Sequence, residues 1–79
     1  MHSRFQLIQR DDCPLCDEAL FILAQAQMPE FDSIWIEDDA ELESRFGLHV
    51  PVLYDSVTGT SLNWPFHSQQ VTAWLAELE

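Results

Sequence analysis

The chain has 79 residues, of which 47% are hydrophobic, which is enough for one small folded domain but too few for two. Its 14 acidic residues against three basic ones give a formal net charge of −11, which argues against nucleic acid and anionic membrane surfaces as partners. No apolar stretch of the sequence approaches the roughly 20 residues that a membrane-spanning helix needs. We therefore expect a single domain over residues 1–79 with an acidic surface, which aids solubility or suits a basic protein partner.

Hydrophobic periodicity and turn residues predict elements in the order β-α-β-α-β-β-α. A strand, a helix and a second strand within about 35 residues predict a βαβ unit, whose strands are parallel and whose crossover is right-handed. The expected ranges are 4–9 (strand), 15–27 (helix), 33–37 (strand), 39–46 (helix), 51–54 (strand), 60–62 (strand) and 68–78 (helix), with a hairpin turn at 55–59.

Local patterns also predict burial and helix ends. The first predicted helix is apolar around much of its circumference, and such a helix is expected to be heavily buried. Trp35 and Trp74 are expected in the core. Asp38, with Glu41 three residues later, resembles a capping box for the second helix, and Gly47 suits the position just past its end.

The motif Cys13-Pro14-Leu15-Cys16 lies where the first strand gives way to the first helix. A cysteine at a helix N-terminus meets unpaired backbone N–H groups and the positive end of the helix dipole, and both favour the nucleophilic thiolate. Cys16 lies one turn further on, where it can close a short disulfide, and Pro14 suits the first helical position. The pattern indicates a dithiol that exchanges with disulfides, with Cys13 as nucleophile and Cys16 as resolving thiol.

Two structural interpretations of the same cysteines stay open. A structural zinc site would need two further ligands, and the sequence offers only the scattered His2, His49 and His67. An unreactive buried thiol pair is the second, because C-x-x-C alone does not establish activity. Two cysteines are too few for a secreted disulfide scaffold, and the first residues show no signal-peptide pattern. We therefore expect a cytoplasmic monomer without a metal site.

The order of elements, with C-x-x-C after the first strand, resembles the thioredoxin fold. The details are similar to glutaredoxins: Cys-Pro-x-Cys, the pair Val50-Pro51 before the third strand, and a basic residue, Arg10, three positions before the first cysteine. Residues 45–53 and 65–66 resemble matching stretches of short bacterial glutaredoxin-like proteins, and the resemblance covers nearly the whole chain. It implies an α/β, thioredoxin-like fold: a four-stranded mixed sheet flanked by helices, βαβ-ββα.

The resemblance also implies a substrate site around the cysteines. The bond before Pro51 is expected to be cis and to turn the backbone of Val50 toward the cysteines, where its N–H and C=O pair with an extended substrate. Arg10 is expected either to bind a substrate carboxylate and favour the thiolate or to form an ion pair with Asp11 or Asp12.

One departure from the glutaredoxin pattern concerns residues 63–68. Glutaredoxins carry Gly-Gly and an acidic residue there, which hold glutathione. Here Trp64 and Pro65 stand in that region, and they prevent the close backbone approach that glycines allow. Trp64 is expected either to form an apolar wall beside the site or to pack in the core. We therefore expect weakened binding of glutathione.

These patterns predict a glutaredoxin-like thiol–disulfide oxidoreductase that acts on a disulfide-containing protein or a small-molecule thiol. The chemistry requires no metal or organic cofactor, and glutathione is expected only as a co-substrate. The alternative is a thioredoxin-fold protein-binding module whose acidic surface docks a basic partner and whose dithiol has little redox activity. Cycling of the Cys13–Cys16 disulfide at a cytosolic potential separates the two.

Overall fold

Residues 3–78 are described by a computed structural model, in which each predicted helix and strand is present. A short 3₁₀ turn, Ile36–Asp38, is added after the second strand. Within residues 3–78, no helix has the length and apolar character needed to cross a bilayer. The elements are β1 (Phe5–Gln9), α1 (Pro14–Gln25), β2 (Phe31–Trp35), α2 (Ala40–Phe46), β3 (Val52–Asp55), β4 (Ser61–Asn63) and α3 (Ser68–Glu77).

The four strands form one mixed sheet in the order β2-β1-β3-β4. β1 and β2 are parallel, as the βαβ unit predicted, and α1 makes the crossover between them. β3 is antiparallel to β1, and β4 is antiparallel to β3. The predicted four-stranded mixed sheet flanked by helices is therefore confirmed.

The sheet has an apolar face on each side, because successive residues of a strand point to opposite faces. Helices α1 and α3 cover the face that carries Leu7 and Leu53. Helix α2 lies against the face that carries Ile8 and Val52. The side chains buried on the first face are Phe5, Leu7, Ala19, Leu23, Leu53, Phe66, Val71 and Trp74. This packing fixes α1, and with it the cysteine motif, on the central strands.

Helix α1 is less buried than its composition suggested. Its buried residues are Cys16, Ala19 and Leu23, which form one stripe against the sheet and α3, while Phe21 is 67% exposed. Trp35 is 45% exposed because it lies on β2, an edge strand. The predictions of a heavily buried first helix and of Trp35 in the core are therefore wrong.

The second helix is capped one residue later than predicted. The N–H groups of Glu41 and Leu42 donate to Oδ1 of Asp39 at 2.9 and 3.3 Å, so Asp39 rather than Asp38 is the N-cap. The prediction of a capping box at Asp38 is wrong because residues 36–38 form the 3₁₀ turn.

The turn between β3 and β4 is built around the buried carboxylate of Asp55, which is 0% exposed. The guanidinium of Arg4 donates to its two oxygens at 2.7 and 2.8 Å, and the Val57 N–H and Thr58 hydroxyl donate at 3.1 and 2.7 Å. Hydrogen bonding from Arg4 lowers the pKa of Asp55 far below its usual value, against the opposing effect of burial. Asp55 thus ties the start of β1 to the β3–β4 turn.

Candidate active site

The topology gathers the predicted site residues at one end of the sheet. β1 ends there and leads into Arg10 and Cys13. β3 is antiparallel to β1 and begins at this end, directly after Pro51. β4 is antiparallel to β3 and ends there, directly before Trp64. Strand direction alone therefore brings three distant stretches of sequence to the same end of the sheet.

Cys13 is the N-cap residue of α1, with extended φ and ψ of −122° and 101°, and Pro14 is the first helical residue. The sulfur of Cys13 accepts a hydrogen bond from the backbone N–H of Cys16 at 3.1 Å. The sulfurs of Cys13 and Cys16 lie at disulfide distance, with the two Cα atoms 5.2 Å apart. The same N–H also donates to the carbonyl oxygen of Cys13 at 3.1 Å, so the helix start offers the sulfur a shared donor that can stabilise negative charge.

The two cysteines differ in access to solvent. Cys16 is 2% exposed and is buried under the first turn of α1, whereas Cys13 is partly exposed. An incoming disulfide can therefore reach the sulfur of Cys13 far more easily than that of Cys16. A division into a nucleophile and a resolving thiol would require such an asymmetry.

The loop before Cys13 is held by a carboxylate that the sequence analysis did not single out. The backbone N–H of Asp11 donates to Oε2 of Glu37 at 2.8 Å, and Glu37 lies in the 3₁₀ turn that follows β2. Asp12 adopts a φ of 54°, in the left-handed region that Asp and Asn tolerate better than most residues. The hydrogen bond at Asp11 and the left-handed backbone at Asp12 therefore set the path of the loop into Cys13.

Arg10 has a different ion-pair partner from those predicted. Its Nη2 donates to Oε1 of Glu43 and to the carbonyl oxygen of Gly47, both at 3.0 Å, rather than pairing with Asp11 or Asp12. The hydrogen bond to Glu43 raises the pKa of Arg10. Arg10 therefore holds the end of α2, from which the chain continues toward Pro51.

Gly47 completes this contact for a steric reason. A Cβ atom at this position would lie 2.5 Å from the carbonyl oxygen of Glu43 and 2.8 Å from its Oε1. Its φ is −55°, so close approach and not a left-handed conformation explains the glycine. Because it lacks a Cβ atom, Gly47 leaves room for the backbone and side chain of Glu43, and Arg10 can hydrogen-bond to both residues.

The Val50–Pro51 peptide bond is cis, and Pro51 is buried. β3 begins at Val52 rather than at Pro51 because proline has no N–H to donate to the strand ladder. The N–H of Val50 donates to the carbonyl oxygen of Phe46 at 3.1 Å. This N–H was predicted to pair with substrate. Because it is already bonded to Phe46, strand-like pairing at Val50 would use only the carbonyl oxygen.

Trp64 combines the two roles that the sequence left open. Its ring packs edge-on against buried Phe66, with centroids 5.1 Å apart, and it contacts the core around α1 and α3. It also lines one wall of a groove of about 580 Å³, whose other wall is the side of α1 that carries Phe21. The Trp64–Pro65 bond is cis as well. Phe21 was not predicted to line this groove, because its apolar neighbours suggested that the whole helix was core.

The arrangement of histidines bears on the zinc interpretation. In the described part of the chain, residues 3–78, no group of three or more His, Cys, Asp or Glu side chains is placed to hold a metal ion. His67 is the N-cap residue of α3, and its N–H donates to Oε1 of Gln70 at 2.7 Å. His2 lies outside the described residues.

The sheet order, the helices on both faces and a C-x-x-C at the start of α1 define a protein of the thioredoxin fold. Comparison with known families matches residues 4–76 to the glutaredoxin-like domain (DUF836). The chain therefore belongs to the glutaredoxin-like family, as the sequence resemblance predicted.

Solved structures place the chain in the same family. The X-ray structure of XcR50, a Northeast Structural Genomics target protein from X. campestris, has 52% identity and a TM-score of 0.86, covering 92% of this chain and 96% of that one. The solution structure of XcR50 gives 51% identity and a TM-score of 0.85, covering 95% of each chain. No curated protein matches the chain. The fold is thus shared along nearly the whole length of both proteins.

The carboxylates around the motif give a first test of the electrostatics. Replacing Asp11 and Asp12 together by Asn should speed the reaction of the reduced protein with iodoacetamide at neutral pH by about two- to fivefold, because like charges disfavour the thiolate. Asn tolerates the φ of 54° at position 12, so the loop should keep its shape.

The matched control replaces Glu30 and Glu77 by Gln, since both are exposed and lie toward the opposite end of the sheet from Cys13. This control should react at the wild-type rate, and added salt should narrow the gap between wild type and the Asn variant. An Asn variant that reacts no faster than wild type would show that these carboxylates do not act on Cys13.

Proposed function

We propose that this chain is a thiol–disulfide oxidoreductase in which Cys13 attacks and Cys16 resolves. The observation that supports it best is the asymmetry of the pair: Cys13 is partly exposed and its sulfur accepts the N–H of Cys16, whereas Cys16 is only 2% exposed. The first sulfur is accessible and, once the pair is reduced, would have a backbone donor that favours its thiolate, whereas the second is protected but one helical turn away. A structural disulfide requires neither property.

The exchange proceeds in two balanced steps. The Cys13 thiolate attacks one sulfur of the substrate disulfide, forms a mixed disulfide and expels the other sulfur as a thiolate, which takes a proton from solvent. Cys16 then loses its proton to solvent and attacks the sulfur of Cys13, and this expels the second substrate thiolate, which takes up a proton in turn. The substrate gains two electrons and two protons, and the protein is left with the Cys13–Cys16 disulfide.

The reaction needs an external thiol to restore the dithiol, and it requires no resident metal or organic cofactor. We propose a monomer in the reducing cytoplasm, with a disulfide-bearing protein as substrate and a small-molecule thiol such as glutathione as a co-substrate. Binding would involve the Val50 carbonyl, Pro51 and Trp64, and Arg10 would have to exchange its bond to Glu43 for one to a substrate carboxylate. The alternative, a binding module with an idle dithiol, requires that the cysteines do not cycle.

A pair of assays tests the function and the place of glutathione together. Reduction of insulin by the chemically reduced protein should be clearly faster than by the reductant alone. Turnover coupled to glutathione should be about tenfold or more below that of a glutaredoxin with an intact Gly-Gly stretch, because Trp64 and Pro65 prevent close approach of the tripeptide.

The outcomes separate the candidates. Absence of insulin reduction, together with a disulfide that does not open at the potential of cytosolic glutathione, would favour the binding module. Glutathione-coupled turnover equal to that of a glutaredoxin would show that the tripeptide binds without the glycines, and the interpretation of residues 63–68 would be wrong.

A further inference from the structure

The groove between α1 and residues 64–67 lies next to the dithiol but is not part of it. Its α1 wall begins with Asp17, the residue directly after Cys16, and continues through Glu18 and Phe21. Trp64 and Phe66 contribute the opposite wall. A volume of about 580 Å³ is large enough for a bulky side chain and part of a neighbouring one.

Aromatic rings stand on both walls of the groove, among aliphatic and polar residues. Phe66 is fully buried and fixes the ring of Trp64 edge-on, whereas Phe21 on the facing wall is 67% exposed. Leaving a Phe ring in water on α1, about two helical turns after Cys13, forgoes the stabilisation that its burial would give. An apolar side chain from a partner, inserted between Phe21 and Trp64, would bury both rings.

The charge around the groove is negative. Asp17 and Glu18 are exposed on its rim. The chain has no lysine, and its three arginines are engaged elsewhere: Arg4 binds Asp55, Arg10 binds Glu43, and Arg45 stacks on Phe46. The groove therefore favours a partner that brings a cation, in agreement with the net charge of −11.

We propose that this groove binds a segment of the substrate protein in which a bulky apolar side chain stands beside a lysine or arginine, close to the disulfide that Cys13 attacks. The proposal rests on the proposed function and specifies its substrate class. The apolar side chain lies between Phe21 and Trp64, and the cation faces Asp17 and Glu18. Docking places the substrate disulfide at the start of α1, and the two exchange steps follow as described.

Four synthetic peptides test the preference. Each peptide carries one cysteine in a mixed disulfide with mercaptoethanol. The two residues beside that cysteine are Phe and Arg, Phe and Glu, Ser and Arg, or Ser and Glu. The reduced protein should react with the Phe-Arg peptide about tenfold faster than with the Ser-Glu peptide. The preference for Arg should shrink in high salt, whereas the preference for Phe should persist. Equal rates for all four peptides would overturn the proposal.

Single variants assign the preference to the groove. Phe21→Ser should reduce the Phe preference by about threefold or more, and Glu18→Gln should reduce the Arg preference by about twofold. The matched controls are Val57→Ser, at a residue that is 69% exposed in the β3–β4 turn, and Glu30→Gln, and both should keep the wild-type preferences. The proposal would be overturned if a control variant lost the preference for Phe or for Arg. It would also be overturned if Phe21→Ser kept the full preference for Phe and Glu18→Gln kept the full preference for Arg.

Two further measurements keep failure of docking distinct from failure of the chemistry. Hydroxyethyl disulfide has no side chain to dock, so its reduction reports the dithiol alone. Docking without exchange is measured with the Cys13→Ser/Cys16→Ser variant and a Phe-Arg peptide whose cysteine is replaced by serine. Titration should shift the NMR signals of Phe21 and the Trp64 indole. Shifts confined to other residues, or none, would overturn the proposal even if the small disulfide is reduced.

Discussion

Cys16→Ser is expected to convert most of the protein into a stable mixed disulfide on exposure to a disulfide substrate, whereas Cys13→Ser should form almost none. Cys13 is partly exposed and its sulfur accepts the N–H at position 16, but Cys16 is only 2% exposed, so an incoming disulfide cannot reach it directly. Adducts should form at least about a hundredfold faster in Cys16→Ser than in Cys13→Ser, as expected when a nucleophile is removed.

Intact-mass spectrometry after exposure to oxidised glutathione and to hydroxyethyl disulfide measures this difference. The double variant Cys13→Ser/Cys16→Ser is the control and should gain no mass. Equal adduct formation in the two single variants would contradict the assignment of roles, and adducts in Cys13→Ser alone would reverse it.

The largest expected effect on stability comes from Asp55→Asn. The carboxylate is fully buried and accepts hydrogen bonds from Arg4, Val57 and Thr58. Replacing it removes the charge that Arg4 faces and turns one acceptor into a donor. We expect the free energy of unfolding to fall by about 2–4 kcal/mol, somewhat less than for a fully buried pair because Arg4 is partly exposed.

The same variant should change the response to acid. The pKa of Asp55 is lower in the folded protein than in the unfolded chain, so the carboxylate stabilises the fold above about pH 4. This stabilisation is lost as the pH falls below that value toward the folded pKa. The difference between wild type and Asp55→Asn should therefore be full at neutral pH and shrink as the pH is lowered from about 5 to about 2.

Urea unfolding at several pH values measures both effects. Asp38→Asn is the matched control, because Asp38 is exposed in the 3₁₀ turn, and its unfolding free energy should stay within about 0.5 kcal/mol of wild type. An Asp55→Asn variant that is as stable as this control at neutral pH would show that the ion pair does not contribute.

The order of elements and the position of the dithiol followed from the sequence because both depend on local rules. Alternation, helical spacing, and proline and glycine positions identify the strands and helices, and a motif at a strand-to-helix junction needs no distant partner. The exposure of Phe21 was not predictable in this way. It depends on which stripe of α1 meets the sheet, and a helix that is apolar around much of its circumference offers several candidate stripes.

The contacts that shape the loop before Cys13 are long-range and were also missed. Arg10 and Glu43 are 33 residues apart, and Asp11 and Glu37 are 26 apart. Asp11 and Asp12 are much nearer to Arg10 in the sequence, but the predicted ion pair of Arg10 with one of them is wrong. Only the arrangement of strands decides which of many acidic residues lies beside a given arginine.

The anchoring of the loop before Cys13 has a consequence for protein engineering. The short stretch that contains both cysteines is shaped by side chains from Glu37 and Glu43, which belong to different parts of the chain. A 12-residue helix such as α1 is marginal in isolation, so a transplanted segment would lose both its helix start and its anchored loop. The C-x-x-C motif therefore cannot be moved to another scaffold by itself. The carboxylates of Glu37 and Glu43 would have to be rebuilt around it.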